Sequence, residues 1–230
     1  MHQIISIEGN IGSGKSTFLK YLRDKCSTNK HIVFVDEPVD EWSSITDDDG
    51  NDMISKFYDN QEKYAFSFQM MAYIARLTKL RKAIAENPHS IIVTERSLYT
   101  DKHVFAKMLY DEKKIETVNY KIYLSWFHEF IKDLPKTTFL YIKTQPSVCH
   151  ERVKKRDRKG EDNISLQYLS MCSEYHNKMM NFMTDEKLKV HTIDGNCNLE
   201  ENSDLMEFVD LFSKNTGFTQ TQIINNMLHV

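Results

Sequence analysis

Residues 8–17 read Glu8-Gly9-Asn10-Ile11-Gly12-Ser13-Gly14-Lys15-Ser16-Thr17, directly after the apolar run Ile4-Ile5-Ser6-Ile7. A strand that ends in a GxxxxGK[ST] loop and opens into an amphipathic pattern over 15–25 spells a phosphate-binding loop. The glycines let backbone N–H groups wrap an anion, Lys15 reaches the β/γ-phosphates, and the Ser16 hydroxyl can serve Mg²⁺. The dipole of the following helix adds to the same site. The order of strand, loop, lysine and helix is what sets this stretch apart from an ordinary turn.

Outward from the loop the chain alternates. Short Ile/Val-rich runs at 4–7, 32–35, 90–94, 139–143 and 190–193 suit central parallel strands. Stretches at 15–25, 60–86, 103–112, 117–134, 146–155, 165–186 and 203–214 carry apolar residues at helical spacing. The expected fold is therefore α/β, one doubly wound five-stranded parallel sheet flanked by helices, with the phosphate loop at its first strand. The chain has 230 residues and is 40% hydrophobic, enough for one domain over 1–230. No internal repeat is visible. The acidic segment Asp47–Asp52 reads as a solvated loop without chemistry. From Gly217 to Val230 a mobile tail and an added surface helix are both open.

Thirty basic and 33 acidic residues give a net charge of -3, so no global field asks for nucleic acid or a membrane surface. The four cysteines form no CxxC pair, which fits neither a structural zinc nor a disulfide scaffold. The first residues lead straight into a strand, without room for a signal or transit peptide, and no 18-residue apolar run occurs. The expected location is cytoplasmic, or nuclear.

Three further clusters bear on function. Gln69 and Arg76 stand two turns apart among aromatics in the 60–86 helix, awkward for a core unless something polar is bound. Glu37 and Glu95, the latter followed by Arg96, end two predicted strands, and in an open parallel sheet those ends border the ligand crevice. The basic run Arg152, Lys154, Lys155, Arg156, Arg158 and Lys159 would alone read as a solvated helix face or a nucleic-acid patch; behind strand 139–143 in a phosphate-loop protein it reads as a lid over about 152–163.

Taken together, EGNIGSGKST at 8–17, EPVDEW at 37–42, FSFQ at 66–69 with Arg76, ERSLYTD at 95–101 and RVKKRDRKGE at 152–161 resemble the deoxynucleoside kinases of the deoxycytidine and deoxyguanosine kinase group. The resemblance covers nearly the whole chain. It implies a P-loop kinase fold with an arginine-rich lid, and transfer of the γ-phosphate of ATP to the 5'-hydroxyl of a deoxynucleoside; by the chemistry of their oxygens Ser16 and Glu95 are the candidates for holding Mg²⁺. By the same resemblance Glu37 is the general base, steadied by Arg96, and Lys15 joins them in catalysis. Gln69 pairs with the base edge, Phe105 stacks on it, and Trp42, Phe68 and Ala72 line the pocket, while Tyr58 and Glu161 hold the 3'-hydroxyl. Gly9 to Thr17, with Asn10, Ile11, Gly12, Ser13 and Gly14 between them, and Arg152, Arg156, Arg158 and Asn198 face ATP.

An arginine and an aspartate matching Arg76 and Asp101 occur in the deoxycytidine and purine enzymes of the group, and smaller or apolar residues in thymidine-accepting ones. Deoxycytidine, deoxyadenosine and deoxyguanosine are therefore expected ahead of thymidine. The stretch Thr192–Leu199 matches the loop that cradles the donor base, but Cys197 and Asn198 replace an acidic pair, leaving ATP and UTP both open as donors. The resemblance also implies a homodimer through the helices at 60–86 and 117–134. A nucleoside monophosphate kinase such as a thymidylate kinase, and a non-catalytic nucleotide-binding switch, are the competing readings.

Overall fold

The computed structural model describes residues 3–156, 161, 164–198 and 201–214. Five strands, β1 (Gln3–Glu8), β2 (Ile32–Val35), β3 (Ile91–Glu95), β4 (Thr137–Lys143) and β5 (Val190–Asp194), form one sheet in the order β2-β3-β1-β4-β5, every pair parallel. The chain leaves β1 toward β2 on one side and later returns to β4 on the other, so the crevice opens at the carboxyl end of β1. Strand alternation separates two cores. Ile5 and Ile7 pack with Phe18, Leu19 and Leu22 of α1 (Lys15–Lys25) and Leu205, Val209 and Phe212 of α10 (Ser203–Lys214). Ile4 and Ile92 on the opposite face meet Leu80 and Ala83 of α4 (Gln61–Glu86).

The remaining helices are α2 (Val39–Ser43), α3 (Met53–Asp59), α5 (Leu98–Thr100), α6 (Lys107–Asp111), α7 (Thr117–Ile131), α8 (Pro146–Arg156) and α9 (Leu166–Asp185). Sequence periodicity missed α2 and α3, whose five and seven residues are too short to show it. The acidic loop ends in a cap: Asp52 accepts from the Ser55 N–H at 2.8 Å and starts α3. Asn60 and Ser165 cap α4 and α9 in the same way. The segment expected as helix 103–112 begins earlier, at Leu98, and its Asp101–Ala106 part is a π-helical turn, a wider winding often found at functional sites. Among the described residues no helix is long and apolar enough to cross a membrane. The tail 217–230 lies outside the described residues.

Candidate active site

The loop between β1 and α1 turns on Gly12 and Gly14, at φ 77° and 100°. A Cβ on Gly12 would stand 2.5 Å from the Cys149 carbonyl oxygen, so close packing as well as backbone angle demands glycine there. Asn10 pins the loop through its Oδ1, which accepts from Ile11 N at 2.8 Å, and its Nδ2, which donates to Leu169 O at 2.8 Å. Lys15 is buried and donates to Asn10 O at 2.7 Å. Burial and the nearby Arg96 lower its pKa to about 8. Ser16 and Thr17 face the cleft, with Ser16 Oγ donating to Glu95 Oε1 at 2.8 Å.

At the neighbouring strand ends lies a buried ionic cluster. Arg76 donates from Nε to Asp101 Oδ2 at 3.0 Å, from Nη1 to Glu95 O at 2.9 Å and from Nη2 to Glu37 Oε1 at 3.0 Å. Arg96 donates from Nε to the same Glu37 Oε1 at 3.1 Å and from Nη1 to Gly9 O at 2.7 Å. Burial pushes the Glu37 pKa up, but Arg96, Arg76 and Lys15 together outweigh it and hold the carboxyl at about 2. Asp101 moves the other way: burial outweighs the pull of Arg76 and raises it to about 6. Arg96 sits at φ 63°, a left-handed angle unusual for a side-chain-bearing residue, fixed by its N–H donating to Ile7 O at 3.0 Å. Asp101 and Phe105 both reach the cleft from the π-helical turn.

Ion pairing corrects one expectation. Arg76 needs no ligand to be satisfied in the core, because all three of its nitrogens already have protein acceptors. Gln69 is the residue left wanting: it is 2% exposed and its Oε1 has no partner. It lines a cleft of about 1120 Å³ together with Trp42, Tyr58, Phe68, Ala72, Arg76, Asp101, Phe105 and Glu161. Trp42 meets Phe68 edge-on at 5.9 Å, and Phe57, unmarked in the sequence, stacks on Phe68 at 4.4 Å. Arg96 lies over the Phe105 ring at 5.1 Å.

On the donor side Arg152 and Arg156 line the cleft and are both engaged by protein acceptors. Arg152 directs Nη1 to Ser13 O at 3.3 Å and Gly195 O at 2.9 Å, and Nη2 to Cys197 O at 3.0 Å. It braces the glycine loop against the loop after β5 rather than standing free in the cleft, since three carbonyls converge on one cation. Arg156 pairs with Glu161, Nε to Oε2 at 2.7 Å. Burial and the charge of Glu161 raise the Tyr58 hydroxyl pKa, so Tyr58 stays a neutral donor beside that carboxylate. Asn198 lines the cleft, as does Cys197. Arg158 and half of the lid lie outside the described residues.

Two buried groups were not singled out from the sequence. Glu8, completely buried, accepts from Ser6 Oγ at 2.7 Å, from Ser97 N at 3.0 Å and from Thr100 Oγ1, tying β1 to the turn that carries Arg96. His176 of α9 touches Arg96 Nη1. A polar residue on an otherwise apolar helix face was the available hint for His176.

The strand ends of this parallel α/β sheet thus gather a glycine-wrapped lysine, an arginine-clamped carboxylate and a buried amide whose oxygen has no partner. The model of the deoxynucleoside kinase family matches residues 5–214. A probable deoxycytidine kinase of fowlpox virus is 33% identical over 198 residues, covering 85% of this chain and 79% of its own. Deoxycytidine kinase 2 of Gallus gallus is 32% identical over 192 residues (75% and 71%), and the mitochondrial deoxyguanosine kinase of Xenopus laevis 27% over 200 residues (79% and 74%). The chain belongs to the deoxynucleoside kinase family, the phosphotransferases of nucleotide salvage.

Proposed function

We propose that this chain transfers the γ-phosphate of ATP to the 5'-hydroxyl of a deoxynucleoside, with deoxycytidine and the purine deoxynucleosides favoured over thymidine. The observation that carries the reading is the juxtaposition of Glu37, clamped on one oxygen by Arg76 and Arg96, with the unpartnered carboxamide of Gln69 in the same cleft. Both arginines donate to Oε1, which leaves Oε2 for an incoming hydroxyl. A carboxylate held near 2 is a weak base, yet phosphoryl transfer asks little of it: the alcohol becomes acidic only as its bond to phosphorus forms. Gln69 can donate and accept at once, the pattern a base edge requires. In this reading Tyr58 and Glu161, which line the same cleft, hold the sugar 3'-hydroxyl.

Residues 9–17 form the phosphate loop of this reading, with Lys15 at the β/γ-phosphates and Arg156 and Arg158 as lid cations. Ser16 and Glu95 offer a hydroxyl and a carboxylate in mutual contact, oxygen donors suited to Mg²⁺. When bound there, Mg²⁺ would neutralise charge on the donor phosphates. Lys15, Arg96 and Arg156 supply the remaining positive charge around the transferred group, in a cleft where closure over the substrates strengthens it. A panel of deoxynucleosides and deoxynucleoside monophosphates with labelled ATP tests the reading. Phosphorylation of monophosphates alone would replace it with a monophosphate kinase.

Arg76 and Asp101 wall the cleft beside Gln69, narrowing the space where a 5-methyl group would sit. The double variant Arg76→Met with Asp101→Ala is expected to shift the thymidine to deoxycytidine ratio of kcat/KM upward by roughly 10- to 200-fold. Removing both charges avoids a lone buried ion, which would cost several kcal/mol and mask the steric effect. Arg76 also clamps Glu37, so turnover is expected to fall for all substrates and the ratio is the quantity to measure. A ratio within twofold of wild type removes the wall.

The dimer belongs to the same proposal. Val118, Ile122 and Trp126, 59%, 43% and 46% exposed, form a stripe at four-residue spacing along α7. Arg81 at the end of α4 lies over the Phe130 ring of α7, making the two helices one continuous surface. Light scattering is expected to give a dimer for the wild type and a monomer for Trp126→Glu, which places a charge in the apolar stripe. A wild-type monomer at micromolar concentration discards the claim. Cytoplasmic location follows the same reading and is checked by imaging a tagged chain.

A further inference from the structure

His176 is completely buried, 80 residues from Arg96 in sequence, with its Nε2 3.4 Å from Arg96 Nη1 and its Nδ1 2.7 Å from the Cys172 carbonyl. A carbonyl only accepts, so Nδ1 carries the proton and Nε2 presents a lone pair toward the guanidinium. We propose that His176 is a positioning residue: its Nε2 and the Gly9 carbonyl together hold Nη1 of Arg96, so that Nε of the same guanidinium reaches Glu37. The inference rests on the roles given above to Arg96 and Glu37.

The surroundings favour the uncharged ring. The charged groups facing it are Arg96 from the turn after β3 and Lys15 from α1, both cations, while Tyr141 of β4 stacks at 6.2 Å and Phe105 meets it edge-on at 6.2 Å. Burial and the charge of Arg96 lower the imidazole pKa to about 3, so the lone pair is kept across the working range of pH. A plain packing role asks only for an aromatic ring of this size between Tyr141 and Phe105. A positioning role asks for an acceptor at Nε2. Phenylalanine supplies the first without the second, and glutamine can supply the second.

Glu37 is held acidic by Arg96, Arg76 and Lys15, with Asp101 and Tyr58 also near it. Slackening Arg96 should therefore let its pKa rise. In His176→Phe, kcat is expected to fall roughly 10- to 30-fold with acceptor KM changed less than about threefold. The acid limb of the pH–rate profile should move up by about one unit. His176→Gln is expected to recover kcat to within about threefold of wild type. ¹⁵N NMR of the imidazole should show a neutral ring protonated on Nδ1. A folded Phe variant with wild-type kcat and acid limb, a Gln variant no better than Phe, or a ring protonated on Nε2 each overturns the proposal. If the Phe variant does not fold, His176→Asn, too short to reach the Nε2 position, replaces it under the same criteria. Loss of the wider reading looks different: the wild type would not phosphorylate deoxynucleosides, or Glu37→Gln would retain full rate, and the NMR result would still decide the geometry at His176.

Discussion

Replacing Glu37 with glutamine is expected to lower turnover by roughly 10²- to 10⁴-fold while acceptor affinity changes little. The amide oxygen can still take the donations of Arg76 and Arg96 that now converge on Oε1, so the architecture has a means to persist. What changes is the other end of the group, where an N–H₂ donor replaces the oxygen that would receive the proton of the 5'-hydroxyl. Single-turnover rates with saturating donor, beside acceptor binding by calorimetry, separate the two effects. Turnover within threefold of wild type would remove Glu37 from the chemistry. A pH consequence accompanies it. Because Glu37 is held at about 2, its own titration should add no acid limb near 4 to 5 of the kind an ordinary carboxylate gives, and a change in turnover between pH 8 and 5 would report on Asp101, raised to about 6. Its depressed pKa also contributes stability that is present above the unfolded value near 4 and is lost as pH falls toward 2.

Lys15→Met is expected to abolish measurable turnover, a loss of about 10³-fold or more, and at the same time to raise the melting temperature of the free protein. The two effects share one cause. Lys15 is buried with a pKa of about 8, below its unfolded value, so its charge costs the folded state up to about 3 kcal/mol at neutral pH. Methionine removes that cost and forfeits the hydrogen bond to Asn10, worth about 1 kcal/mol. The net gain of about 1–2 kcal/mol corresponds to a rise of roughly 2–8 °C. In the wild type the penalty is full below pH 8 and fades between 8 and the unfolded value near 10.4, so stability from this group rises with pH there. Donor affinity should run the opposite way and weaken above pH 8, because the free enzyme must regain a proton to meet the phosphates. Melting curves and donor titrations from pH 6.5 to 9.5 check both limbs. Unchanged donor affinity in Lys15→Met would count against the phosphate loop.

Much of this was legible in the chain itself. The five strands and the long helices lie where their apolar patterns put them, and Glu37, Gln69, Arg76, Glu95, Arg96, Asp101 and Phe105 do gather at one cleft. The short helices α2 and α3 and the π-helical turn were not legible, because fewer than two helical turns leave no period to read. Nor was the task of Arg152, whose basic neighbourhood suggests a phosphate ligand and says nothing of three carbonyls from two distant loops.

The sequence by itself determined what is local: a strand, a glycine turn and a helix in immediate succession, whose geometry follows from steric limits on neighbouring residues and from one continuous stretch of backbone donors. Only the tertiary structure decided how charge is shared. Glu37, Arg76, Arg96 and Asp101 come from four separate elements, and which of them pair, which atoms face the cleft, and that Arg76 is satisfied while Gln69 is not, depend on where those elements are packed. Burial shifts Asp101 up and Lys15 down, whereas at Glu37 the charges of Arg96, Arg76 and Lys15 outweigh it and hold the carboxyl down. Burial is a property of the packed sheet and its helices, so His176, 80 residues from the arginine it touches, becomes visible only in three dimensions.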